Sequence, residues 1–250
     1  MELGKYREFL KDNIRRSFDF SRTAQNRGVP PPPVEKPSPA DKQKIPLPPP
    51  ADCKGASDIS LFRAIESRES VRNYTGAAIT LEELSFLLWA TQGVRGGSGG
   101  GHVFRTVPSA GCRHAFETYL AVFRVDGVAK GIYRYLPLSR CMVHVSNDEK
   151  LEHATAEAAL GQDFAGAAAV TFIWTAVPSR MEWRYGPAAY KVIAIDAGHV
   201  CQNLYLASAA IGAGTCAIAA YNQEKAYRLV GADGREEFVV YMAPVGIKYD

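Results

Sequence analysis

The chain has 250 residues, of which 47% are hydrophobic and 22% charged, and carries a formal net charge of +3. That is enough to bury one sizeable core, and the balance is ordinary for a globular enzyme. The five cysteines (Cys53, Cys112, Cys141, Cys201 and Cys216) include no Cys-x-x-Cys pair, which argues against a disulfide framework or a zinc ribbon. No stretch approaches the roughly 18 apolar residues of a membrane span, and the first residues lack the apolar core of a signal peptide, so a soluble, cytoplasmic protein is expected.

Residues 1–28 hold seven basic and four acidic side chains, an excess equal to the net charge of the whole chain. The remainder is close to neutral and gives no support for nucleic-acid binding. Leu3, Tyr6, Phe9 and Leu10 fall near one face of a short helix, which would dock on the core or a partner subunit, or lie on a membrane surface; docking is the favoured reading. Residues 30–50 then hold ten of the fifteen prolines. Such a run favours extended polyproline II, an arm or spacer that would wrap around a second subunit. The chain thus divides into an arm, residues 1–57, and a domain, residues 58–250.

Arg68-Glu-Ser-Val-Arg72 opens the domain with two guanidiniums four residues apart and the Ser70 hydroxyl between them. Planar donor forks suit a phosphate dianion, although the pattern alone also describes a solvated face. Thr80 and Glu83 form a capping-box signature ahead of Leu84, Leu87, Leu88 and Trp89 at helical spacing, and this helix runs out at Gln92-Gly93. The glycine-rich run from Val94 to Gly101 is too flexible to hold one conformation unaided, and serves as a mobile loop near an active site or as a tolerant surface loop. No Gly-Lys-Ser/Thr follows it, which excludes a P-loop.

Strands are predicted at Tyr119–Val125 and Gly131–Pro137, a helix at Asp148–Leu160 and a buried strand at Ala167–Thr175. A long helix from about Ala188 to Ala210, closed by Gly212, is apolar on more than one face and must be covered on most sides. His199 and Asn203 are four apart on it; without further ligands, a satisfied buried histidine is the preferred reading over a metal site. Cys201, on this helix, and Cys216, on a strand, read as small buried residues. Asn222 caps a helix over Gln223–Val230 that stops at Gly231, and a strand follows at Glu236–Val245. The order of elements describes one α+β domain with a mixed sheet covered on both faces. No Gly-x-Gly-x-x-Gly opens a βαβ unit, which disfavours a Rossmann dinucleotide domain.

Arg68-x-Ser70-x-Arg72, the helix ending Leu-Trp-Ala-Thr-Gln-Gly93, Pro108-Ser-Ala-Gly111, the stretch Asp196 to Asn203, and Gly212-Ala-Gly-Thr-Cys216 occur in the order seen in the nitroreductase superfamily. Over about residues 58–248 the chain resembles those FMN enzymes, in particular the SagB-type azoline oxidases of thiazole and oxazole peptide biosynthesis. The resemblance implies a three-layer sandwich with a mixed, mainly antiparallel sheet and a long central helix near a homodimer axis. It implies FMN held by Arg68, Ser70, Arg72 and Lys248. Gly214 and Thr215 of the same chain, and Pro108, Ser109, Ala110 and Gly111 of the neighbouring subunit, would line the ring.

In azoline oxidases a Lys-Tyr pair serves proton removal. Here Glu182-Trp-Arg-Tyr-Gly-Pro187 aligns with it, so Tyr185 is matched while Arg184 replaces the lysine. Arginine is a poor base but a good anion ligand; Trp183 and Tyr185 also read as packing residues. The expected activity is hydride transfer through FMN to or from a small organic substrate, fed most simply by NAD(P)H. Azoline-type oxidation with oxygen as acceptor, and a silent flavin-binding scaffold acting through its proline-rich arm, are the alternatives.

Overall fold

The computed structural model describes residues 3–39, 42–56, 59–99 and 102–249. Its strands, in chain order, are β1 (Lys44–Pro46), β2 (Val94–Gly99), β3 (His102–Arg105), β4 (Phe116–Val122), β5 (Gly131–Leu136), β6 (Cys141–Ser146), β7 (Val170–Ala176), β8 (Ala213–Thr215) and β9 (Phe238–Ile247). Seven form one sheet, ordered β1-β6-β5-β4-β7-β9-β8, with antiparallel neighbours throughout. Parallel pairing is confined to isolated bridges, Ser70 to Thr215 and Ile79 to Val125. The α-helices are α1 (Gly4–Glu8), α2 (Ile14–Ser17), α3 (Leu61–Ser67), α4 (Leu81–Gln92), α5 (Leu151–Ala158), α6 (Phe164–Ala167), α7 (Ser179–Tyr185), α8 (Ala189–Ala210) and α9 (Gln223–Val230).

The central strands β4 and β7 are buried at every position, so neither face of the sheet is wet. Side chains alternate across a strand, and β7 shows where each face goes. Phe172 and Trp174 join Leu84, Leu87 and Leu88 of α4 and Ile193, Val200 and Leu204 of α8. Ile173 joins Leu151 of α5, Ala165 of α6, and Ala226 and Val230 of α9. Two helical layers around one sheet make the expected sandwich. Each fully buried Leu contributes about 1.5–3 kcal/mol through removal of its surface from water.

Local chemistry sets the element ends as the sequence implied. The Thr80 hydroxyl accepts from the Glu83 N–H and the Glu83 carboxylate accepts from the Thr80 N–H, closing the capping box on α4. Asn222 caps α9 through the Lys225 N–H, and Gly231 ends it with φ of 70°. The 22-residue α8 is capped by Ile211, with Gly212 turning at φ of 69° just beyond. Cys201 and Cys216 are buried, the latter just past β8 rather than on it.

Three expectations need correction. The part of the glycine-rich run from Val94 to Gly99 is β2, paired with β3, because the chain turns back and supplies the backbone partners that the glycines lack side chains to replace. Gly100 and Gly101 lie outside the described residues. Helix α1 buries none of its residues, and Leu3, Tyr6, Phe9 and Leu10 are exposed, so of the two docking places expected, core and partner subunit, the core buries none of them; Phe9 borders an open groove with Tyr190 and Ile193 of α8.

The proline-rich segment is extended, as expected, yet it is bonded to its own core rather than free as a spacer. Its carbonyls accept from buried arginines: Pro32 O from Arg113, Val34 O from Arg105, and Lys36 O and Pro37 O from Arg134. Lys36 donates its backbone N–H to Glu117 and forms an ion pair with Glu237, and the Glu35 carboxylate accepts from the Leu138 N–H. Further on, β1 adds the outermost strand beside β6, and Pro48 O accepts from the Ser85 hydroxyl. A prolyl carbonyl has no N–H on its own residue to satisfy, which makes such a run well suited to capping guanidiniums.

Candidate active site

The stretch Arg68–Arg72 lies in extended form along β8. Ser70 bridges to Thr215, and the Val71 N–H donates to Thr215 O at 3.0 Å. The sequence places glycine at 214 because Val71 occupies the space a Cβ would need, with its side chain 2.4 Å from that point. The close approach at Gly214 that the structure shows is to the 68–72 segment. The Ser70 and Tyr205 hydroxyls are 3.0 Å apart, the Arg68 guanidinium lies 5.4 Å from the Tyr205 ring centroid, and the Ala217 N–H donates to Tyr205 Oη. Lys248 reaches the same place and meets Glu69 at 3.5 Å.

Around this point is a cleft of about 30 Å³ lined by Arg68, Tyr205, Gly214, Thr215 and Lys248 among others. Arg72 does not line it; its guanidinium lies over Phe164 at 5.9 Å. Neither Arg68 nor Arg72 has a carboxylate partner among the described residues. Thr215 Oγ1 is buried without a hydrogen-bond partner. The Arg68 guanidinium, the Lys248 ammonium and the unsatisfied Thr215 hydroxyl are donors suited to a phosphate, with the Glu69 carboxylate, paired to Lys248, on the same lining. Tyr205 organises the cluster, and no sequence motif singled it out.

A second cluster forms around the turn Pro108–Gly111. Pro108 is exposed and Ser109, Ala110 and Gly111 are half-buried. The turn is held by Asp196 of α8, which accepts from the Ala110 N–H at 3.3 Å and from the Ser109 side chain. Burial raises the Asp196 carboxyl above its ordinary pKa, against these two hydrogen bonds and the nearby His199. His199 is 46% exposed and 3.9 Å from Asp196, not the buried histidine expected, because it sits on a face of α8 that its own chain leaves uncovered. Asn203 instead anchors α8 to α4 through Ala90 O. Among the described residues no cluster of His, Cys, Asp and Glu has the makings of a metal site.

Gly111 has φ of 59°, and a Cβ there would stand 2.8 Å from Arg184 Cδ and 2.9 Å from Tyr185 Oη. The structure thus brings together two blocks that are more than seventy residues apart in sequence, 108–111 and 184–185. The neighbouring Trp183 is held by Val29 O and lies under the buried Arg113 guanidinium, 4.7 Å from its ring centroid. Both hydroxyl and guanidinium of the expected Arg184–Tyr185 pair therefore converge on the same turn.

The two clusters are tied to α8 at Asp196 and Tyr205. Nine residues are two and a half helical turns, so the clusters are about 14 Å apart along the axis and on opposite faces. Among the described residues, no helix is long and apolar enough to cross a membrane.

Known proteins are similar to this chain in sequence and fold. A nitroreductase homologue of Methanocaldococcus jannaschii is 34% identical over 193 residues, covering 77% of this chain and 93% of its own length. A nitroreductase homologue of Ralstonia eutropha, 26% identical, superposes with a TM-score of 0.69 over 88% of this chain and 99% of its own. A chain of the Escherichia coli microcin synthetase McbBCD complex, solved with truncated pro-MccB17 bound, shares the fold with a TM-score of 0.62 at 16% identity, covering 100% of this chain and 98% of its own. The family model described as the nitroreductase family matches residues 65–247. With most of its length so matched, the chain belongs to the nitroreductase family.

Proposed function

We propose that this nitroreductase-family oxidoreductase is an FMN-dependent homodimeric enzyme that moves hydride to or from a small organic substrate, with NAD(P)H as the electron donor. The observation that carries the reading is the donor cluster at β8, where Arg68, Ser70, Thr215 and Lys248 gather around the segment bonded to Thr215. FMN, when bound, supplies two-electron hydride chemistry that no side chain offers.

The protein's own groups then have separable tasks. Arg68 and Lys248 would neutralise the phosphate, Ser70 and Thr215 would add hydroxyl donors, and Arg72 would contribute from the rim by leaving Phe164. The turn Pro108–Gly111 offers backbone N–H groups to a ring system, and Asp196 fixes its orientation. Tyr185 Oη is the group placed to give or take a proton beside that turn.

Because the clusters face opposite sides of α8, the reading assigns them to two different cofactors: each site joins the phosphate cluster of one subunit to the turn of the other. Exposed apolar surface supports this. Leu61 and Phe62 of α3 are 69% and 70% exposed, Ile195 of α8 is 50% exposed, and an open groove of about 460 Å³ runs between α3, α4 and α8. Likeness in fold to a chain of the microcin synthetase complex supports the oxidative, azoline-type direction as the second reading, in which Tyr185 beside the turn would handle the proton.

The test is the visible spectrum of the purified protein, followed by anaerobic addition of NADH or NADPH. Bound flavin bleached by nicotinamide is the expected result. Flavin that nicotinamide leaves oxidised would favour the second reading, and a colourless protein that takes up no FMN would refute both.

A further inference from the structure

Around the turn at Gly111, which Asp196 holds through the Ala110 N–H, stand guanidiniums that carboxylates leave incompletely paired among the described residues. Arg184 is half-buried and makes one side-chain hydrogen bond, from Nη1 to Gln25 Oε1 at 3.3 Å. It has no ion pair among the described residues; the adjacent Glu182 instead accepts from the Tyr190 hydroxyl. Arg113 is fully buried, its Nη1 has no partner, and its remaining bonds run to the neutral carbonyls of Pro32 and Arg180. Arg180 is matched by Glu117, which Arg134 also shares. Burial lowers the Arg113 pKa, and the charges of Arg180 and Arg184 lower it further. Three guanidiniums thus stand near one another with one carboxylate, already shared, between them.

Arg184 is also held still. The arm makes a turn over α7: the Gln25 N–H donates to Trp183 O, Trp183 Nε1–H donates to Val29 O, and the Phe18 ring covers Gly186, whose φ of 50° leaves no room there for a Cβ. On its other side the guanidinium lies over Tyr185 at 5.7 Å and against the bare Cα of Gly111. A guanidinium fixed by neutral groups and lacking a counter-ion retains its fork of donors for a ligand. A residue serving only to tie down the arm would need the bond to Gln25 and nothing else.

We propose that Arg184, positioned by Gln25 of the N-terminal arm, binds the oxyanion of the substrate at the ring end of the active site, so that this enzyme selects molecules carrying a carboxylate or a phosphate next to the group it oxidises or reduces. The inference rests on reading the 108–111 turn as the substrate end of the site. It makes the arm part of the specificity pocket, and it gives arginine in place of lysine at 184 a role that an always-charged group can fill: the residue orients and does not accept a proton.

The experiment is calorimetric titration of the full-length protein as purified with benzoate, the neutral isostere benzamide, and inorganic phosphate. Benzoate should bind at least about tenfold more tightly than benzamide. Arg184→Gln should abolish that preference, and Gln25→Ala should weaken benzoate several-fold without altering benzamide. Phosphate exceeding benzoate would identify the oxyanion as a phosphate group, and the reverse a carboxylate; both retain the site. Equal binding of benzoate and benzamide, no binding of either anion, or an unchanged benzoate affinity in Arg184→Gln would overturn the proposal. Should Arg184→Gln not fold, Gln25→Ala decides, since its charge complement is intact and an unchanged benzoate affinity removes the positioning role. Visible absorption reads flavin separately, so a colourless protein that binds benzoate through Arg184 would refute the flavin reading and leave the anion site standing.

Discussion

The phosphate-side and ring-side clusters are built in opposite ways. The first comes from a short stretch, Arg68–Arg72, laid on one strand and completed by Tyr205 and Lys248. The second needs the 108–111 turn, α7, α8 and the arm, with buried arginines sewn together by arm carbonyls. One cluster is a local motif on a finished scaffold; the other is part of what holds the scaffold together. Their substitutions should therefore fail differently: the phosphate side should lose ligand and keep the fold, whereas on the ring side loss of the buried arginines or of their arm carbonyls should cost the fold as well.

The largest contrast is truncation. Removing residues 1–50 would strip β1 from the sheet and leave the guanidiniums of Arg105, Arg113 and Arg134 without five arm contacts among them and Glu117. Each buried polar group left unsatisfied costs about 1–3 kcal/mol, and more when charged, a total comparable with the whole stability of a domain. We expect no cooperative thermal transition from that variant. Removing residues 1–16 alone, which bury none of the helical side chains of α1, should leave the melting temperature within a few degrees. A folded 51–250 fragment would show that the arm is an accessory after all.

Second in size is Arg68→Ala combined with Arg72→Ala. Charge-assisted hydrogen bonds contribute about 1.5–3 kcal/mol each, so the pair should weaken FMN by on the order of 100-fold or more. Thermal unfolding of the flavin-free protein should barely change, since neither side chain is paired with a carboxylate in the fold. Flavin retained by the double variant would place the phosphate elsewhere, and a large fall in the apo melting temperature would make these arginines structural.

These two outcomes also mark what the sequence could and could not disclose. Arg68 and Lys248 meet at one cleft, while Arg72 of the same local motif lies over Phe164 outside it; α4, α8 and α9 were legible because caps and apolar periodicity act within a few residues. Tyr205 was not: nothing in its neighbours on α8 says that its hydroxyl meets Ser70 and Ala217. Nor was the arm legible, because proline composition fixes an extended backbone but not what its carbonyls will face; the partners are 71 to 98 residues away. The glycine run failed for the same reason in reverse. Its flexibility is a local property, and its pairing with β3 is a tertiary one.

Acid sharpens the comparison further. His114 is pulled down to about 3 from 6.5, first by burial and then by the charge of Arg105, while its Nε2–H donates to Val103 O beside the arginine network. A depressed folded pKa means that the unfolded chain binds the proton first. The stability His114 contributes is therefore present above about pH 6.5 and lost as pH falls from there toward about 3, by up to about 1.4 kcal/mol per pH unit. His114→Gln, able to donate to the same carbonyl, should flatten the decline of the melting temperature over that window. An unchanged slope would mean that His114 is not the group that loosens this side.

The smallest expected effect is Tyr205→Phe, and it is the most discriminating for the phosphate side. The ring stays under Arg68, so the packing and cation–π contact remain, while Ser70 loses its hydroxyl partner and the Ala217 N–H its acceptor. A net hydrogen bond is worth about 0.5–1.5 kcal/mol, which corresponds to a several-fold change in flavin affinity if the bond preorganises Ser70 for the phosphate. If it merely fixes the strand, the same energy should instead appear as a few degrees in the melting temperature with affinity unchanged. Because the Ser70 side chain is exposed and its hydroxyl is held by Tyr205, measuring both quantities on one variant separates a scaffold that waits for its ligand from one that the ligand must help to assemble.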